Sequence, residues 1–181
     1  MPNRIRPAAV VAGLLLAIAG CRFESTIDAK GGAELTVRMH LLATQNLDRV
    51  AKDMSSADVE VVSKAKDKDN WATIQLKMKD VTKISTTEFF KTTAMTLTDN
   101  KDGTRTLKAV VTNKNPSEKL PDNVVEYYGK EVSISAKLPG EIVKSNATST
   151  SGQTATWTTD LRKFFAARQN AMEVTYKLAK P

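Results

Sequence analysis

The chain has 181 residues, 41% of them hydrophobic, with 27 Lys+Arg against 20 Asp+Glu and a net charge of +7. That size and composition describe one packed domain and exclude a disordered stalk. One cysteine and one histidine exclude a disulfide scaffold and a Cys/His zinc centre.

The first informative stretch is Ala8 to Cys21, AAVVAGLLLAIAGC. It places an apolar run behind Arg4 and Arg6 and ends at the single cysteine, the layout of a secretory signal. The run is too short for a spanning helix, which needs about 20 apolar residues. Its last four residues, Ile18-Ala19-Gly20-Cys21, resemble the lipobox of bacterial lipoproteins. The resemblance implies cleavage between Gly20 and Cys21, a diacylglycerol on the Cys21 sulfur and further acylation, such as palmitate, at the new amine. Residues 1–20 are then a removed signal and residues 21–181 a single domain. That domain is tethered to the membrane through acyl chains on Cys21, on the extracytoplasmic side of the cell envelope. Export also takes the chain away from nucleic acid, and its basic excess is interleaved with acids, as in Lys64-Ala65-Lys66-Asp67-Lys68-Asp69.

Beyond the cysteine the chain reads mainly as strands. Phe23 to Ala29 and Ala33 to Leu41 alternate about Lys30-Gly31-Gly32 and predict a hairpin. Leu47, Val50, Ala51 and Met54 have helical spacing, with Asn46 as cap. Val59 to Lys64 and Trp71 to Lys79 predict a second hairpin, Val81 to Thr87 a short helix or turn, and Phe89 to Leu97 with Thr104 to Val111 a third hairpin. Asn113 to Gly129 breaks the rhythm with Pro116 and Pro121, then gathers Val124, Val125, Tyr127 and Tyr128. Glu131 to Leu138 alternates again, Pro139-Gly140 turns the chain, and Ile142-Val143 is expected to pair with Thr154 to Thr158. Asp160 caps a short helix carrying Leu161, Phe164 and Phe165, and Ala171 to Leu178 is a final strand. The expected class is α+β: a mainly antiparallel twisted sheet built from hairpins, with one clear amphipathic helix and one or two short ones packed on it.

The run Leu138 to Trp157, LPGEIVKSNATSTSGQTATW, resembles a signature of LppM-type lipoproteins, where a Pro-Gly turn leads into a short strand, an Asn loop and a Thr-x-Trp strand. The resemblance implies an α+β envelope domain that binds, with a glycolipid among the candidate ligands, and does not catalyse.

The residues themselves offer little chemistry. His40, the one histidine, falls on the polar side of its strand, and no Ser lies in a G-x-S-x-G or S-x-x-K setting. No catalytic residue, metal ligand or cofactor is assigned, and a hydrolase would need His40 beside a carboxylate in a cleft. Trp157, Tyr127 and Tyr128 are candidate ligand-binding residues, being large amphipathic rings on or near broken segments. The expected function is non-enzymatic binding of an amphipathic envelope lipid or a partner protein. The alternative is an assembly factor that pairs with another envelope protein through a sheet edge. A deep apolar cavity favours the binder; a filled core with a flat exposed edge favours assembly.

Overall fold

The computed structural model describes residues 20–117 and 120–178. The leader from Ala8 to Ala19 lies outside the described residues. The described residues form two sheets, where hairpin spacing predicts one.

Sheet A is built from β1 (Gly20–Ile27), β2 (Ala33–His40), β3 (Val59–Lys66), β4 (Trp71–Met78), β7 (Glu131–Lys137), β9 (Ser149–Ser151) and β10 (Thr154–Asp160), in the order β3-β4-β2-β1-β7-β10-β9. Sheet B holds β5 (Thr93–Asp99), β6 (Thr104–Thr112), β8 (Gly140–Ser145) and β11 (Gln169–Leu178), in the order β5-β6-β11-β8. All neighbours are antiparallel except β1 and β7, which run parallel with Cys21 opposite Val132. Helices α1 (Leu47–Asp53), α2 (Asp122–Tyr128) and α3 (Leu161–Ala166) and a 3-10 turn at Val81–Thr86 are the other elements among the described residues.

Local chemistry accounts for the helix starts. The Asn46 side chain accepts from the N–H groups of Asp48 and Arg49, and that of Asp160 from Arg162 and Lys163. Each satisfies amides that a first helical turn leaves without partners. The third hairpin begins later than the alternation suggests. Phe89 and Phe90 precede β5, in a corner where the Phe89 N–H donates to the Asp53 carbonyl and the Thr93 N–H to the Phe90 carbonyl. The buried Thr87 hydroxyl organises that corner by donating to the Ile84 carbonyl and accepting from the Phe90 N–H.

A second correction concerns Ile142-Val143. They lie in β8, which pairs with β11 in sheet B, whereas Thr154 to Thr158 pair with β7 and β9 in sheet A. Pro139-Gly140 is thus a crossing between sheets, not the turn of a hairpin. The crossing is tight enough to require glycine: a Cβ at Gly140 would stand 1.9 Å from the Lys177 carbonyl oxygen.

The space between the sheets is filled unevenly. At the end where the chain crosses, Ala136, Leu138, Ala155, Val174 and Tyr176 form a closed core with Ile27, Leu107 and Val37. Tyr176 is wholly buried there, with Val37, Ile74 and Leu76 in the continuation of that core under β2 and β4. Toward Cys21, Val132 and Met172, at the far ends of β1, β7 and β11, the filling stops.

Replacing Gly140 by alanine is expected to cost about 2–4 kcal/mol, an overpacking against rigid backbone. Chemical denaturation of Gly140→Ala beside wild type measures it, and equal midpoints would refute the tight crossing.

Candidate functional site

Where the core stops, the sheets enclose an apolar cavity of about 490 Å³, within the roughly 300–1,000 Å³ range of sites that hold small ligands. Alternation supplies its two broad walls. On sheet A, Cys21 and Phe23 of β1, Leu35 and Met39 of β2, and Val132 and Ile134 of β7 face inward. Across sheet B, Met95, Ala109 and Met172 lie in register on β5, β6 and β11, beside Thr93 and Val111. Methionine suits such a wall because its unbranched side chain adapts to irregular shapes.

Two irregular segments close the sides. One is the 3-10 turn and the corner after it, contributing Val81, Ile84, Phe89 and Phe90. Its position is held by the Phe89 N–H, which donates to the Asp53 carbonyl at the end of α1 (2.8 Å), and by an edge-on approach of Phe90 to Phe23 (6.3 Å between centroids). The other is the α2–α3 pair, contributing Val124, Tyr128, Leu161, Phe164 and Phe165. Arg162 clamps that pair, donating to the Leu120 carbonyl (2.7 Å) and pairing with Asp122 at the start of α2. Phe89 and Phe165 belong to the wall and are also 36% and 40% exposed, so they mark where the cavity meets solvent.

Among the described residues, no Asp, Glu, Lys, Arg or His lines the cavity. Burial pushes the Cys21 thiol up to about 11. Burial likewise raises the Tyr128 hydroxyl, with the nearby Cys21 adding to the effect. A wall of this kind disfavours charge and favours hydrocarbon. The raised pKa keeps the Cys21 sulfur as the thiol, whereas the thiolate is what attacks.

The three aromatic candidates do not meet in one place. Tyr128 stands in the cavity wall. Tyr127, one residue earlier, turns away and meets the His40 ring edge-on at 4.3 Å. Trp157 sits opposite Ile134 in the β7–β10 register, but its indole N–H donates to Asn146 (2.7 Å) and its ring packs against the core outside the cavity. His40 lies between Tyr127 and Trp71, with Nε2 donating to the Asp69 carbonyl (2.8 Å). Sequence reasoning missed the phenylalanines of the rim. The available signal was their adjacency, since Phe89-Phe90 and Phe164-Phe165 each put two large rings at neighbouring positions.

No family model matches the sequence, and no curated protein matches it. Among solved structures, the NMR structure of the Mycobacterium tuberculosis LppM folded domain aligns over 91% of this chain and 92% of that one, with a TM-score of 0.55 and 12% identity. The two share a fold. Among the described residues, no helix is long and apolar enough to cross a membrane.

The raised thiol fixes a pH dependence. A group whose folded pKa lies above its unfolded value stabilises the fold fully below the unfolded value, and that contribution fades as pH climbs through the folded one. In the unacylated chain, stability relative to Cys21→Ala should therefore be level up to pH 9.0 and decline toward about 11. The decline should be on the order of 2 kcal/mol. Denaturant titrations of both chains across that range measure it; parallel curves would contradict burial of the thiol.

Proposed function

We propose that this chain is a non-enzymatic lipoprotein of the cell envelope whose cavity takes up the apolar part of an amphipathic lipid. The observation that carries the reading is the cavity itself, a space of about 490 Å³ between two sheets with mostly hydrocarbon and aromatic walls and, among the described residues, no charged side chain. Burying hydrocarbon there gains about 0.8 kcal/mol per CH₂. A polar headgroup would remain at the rim, where Phe89 and Phe165 reach solvent. The lipobox-like ending at Cys21, the likeness of Leu138–Trp157 to the LppM-type signature and the fold shared with the LppM domain support the envelope location.

Assembly through a sheet edge draws less support. The outer strand β3 has a register shift between Val61 and Ser63 and exposes Lys64 and Lys66, and β9, at the opposite edge, has three residues. Bulges, lysines and shortness are the devices that keep edges from pairing. Catalysis draws less still, since His40 lies against two aromatic rings and bonds a backbone carbonyl instead of a carboxylate.

The test is uptake of an environment-sensitive fluorescent fatty acid by the unacylated Cys21→Ala chain. Saturable binding is expected, and Ala109→Phe, which puts a ring into the centre of the sheet B wall, should weaken it about tenfold or more. Uptake insensitive to Ala109→Phe, or no uptake, would overturn the reading.

A further inference from the structure

The cavity wall contains the residue that the lipobox reading marks for acylation. β1 begins at the open end of the domain, and alternation along it sends Cys21, Phe23 and Ser25 to one face, toward the cavity. Pairing on both sides, with β2 and with β7, holds the strand in that orientation, and Ser25 adds a hydrogen bond from its hydroxyl to the Ser135 carbonyl (3.0 Å). A group attached to the Cys21 sulfur therefore starts inside the apolar wall. To reach a bilayer it would have to leave by the rim, or the end of β1 would have to detach from β7.

We propose that one acyl chain of the Cys21 lipid occupies the cavity of its own domain, so that the anchor is partly sheathed by the protein it anchors. The inference rests on the reading of Cys21 as acylated. In that reaction a glycerophospholipid supplies the diacylglyceryl group. The Cys21 sulfur forms a C–S bond to the terminal glycerol carbon, and the C–O bond to phosphate breaks with its electron pair on the released phosphate ester. The thiol proton leaves with that ester. The product is an uncharged thioether, which the wall accommodates as readily as the methionine thioethers of Met95 and Met172 already in it.

Two physical terms favour this occupant over a free lipid. Hydrocarbon gains about as much from the cavity as from a bilayer, so transfer between them is close to balanced. Attachment then decides, because a group joined to the wall has an effective concentration in the millimolar range or above, whereas a free lipid must be recruited from outside. The consequence concerns anchoring strength. A single chain gives only marginal, reversible membrane binding, and stable anchoring takes two signals. A chain withdrawn into the cavity weakens the tether, and a free lipid that displaces it strengthens the tether again. The chain would thus couple ligand uptake to membrane residence.

The test uses the full chain made in a lipoprotein-processing bacterial host fed a diazirine-bearing fatty acid. Membranes are irradiated, and the Cys21 peptide is mapped by mass spectrometry. The expected result is cross-links from the Cys21 lipid to wall peptides of the same molecule, those carrying Phe90, Met95 or Met172. Their yield should fall about tenfold in Ala109→Phe, where a ring takes up the space. Cross-links to bilayer phospholipid alone, or a Cys21 peptide without lipid, would overturn the proposal. Fatty-acid uptake by Cys21→Ala is measured in parallel and separates the two readings. Uptake without internal cross-links leaves the lipid binder standing and removes the self-sheathed anchor; internal cross-links without uptake do the reverse.

Discussion

The backbone of Gly140 lies against that of Lys177 so closely that no side chain fits between them, and the two-sheet arrangement depends on this approach. Through it the chain steps from β7 in one sheet to β8 in the other within three residues. The sheets are pinned together at that end, and the buried ring of Tyr176 with Leu138, Ala136 and Val174 fills the narrow space beside the pin. At the opposite end the sheets are spanned by the short α2–α3 pair and the Thr87–Phe90 corner. Their large side chains line the gap from its sides without filling it. A wedge closed at one end and bridged at the other leaves a hollow, and the hollow is the cavity.

Much of this was legible in the alternation of apolar residues. The inward faces of β2, β4, β7 and β11 follow directly from it, as does α1 from its 3.6-residue spacing and the Asn46 cap. Alternation says which side chains turn inward, but not which sheet a strand joins. Ile142-Val143 and Thr154 to Thr158 look like partners because they are close in sequence and both strand-like. Their separation into different sheets is decided by the Gly140–Lys177 approach, a contact between residues far apart along the chain. The parallel pairing of β1 with β7 is hidden for the same reason.

The site was less legible than the fold, and the reason is chemical. A cavity defined by missing atoms leaves no motif, since its walls are made of the same Met, Val, Phe and Ala that make a filled core. Tyr128 was found because it follows a proline-broken loop. Tyr127 and Trp157 share its chemistry, yet one packs on His40 and the other bonds Asn146. Side-chain character narrows the field, and only packing separates a wall residue from a structural one.

The position of β1 also governs how the molecule is made. This first strand is interior to its sheet, and its second neighbour is β7, with Ser25 bonded to a carbonyl 110 residues further on. Contacts so distant in sequence form late, after the entropy of a long loop has been overcome. A nascent chain therefore cannot close this sheet until most of it has been synthesised, and until then β1 is left with one of its two neighbours missing.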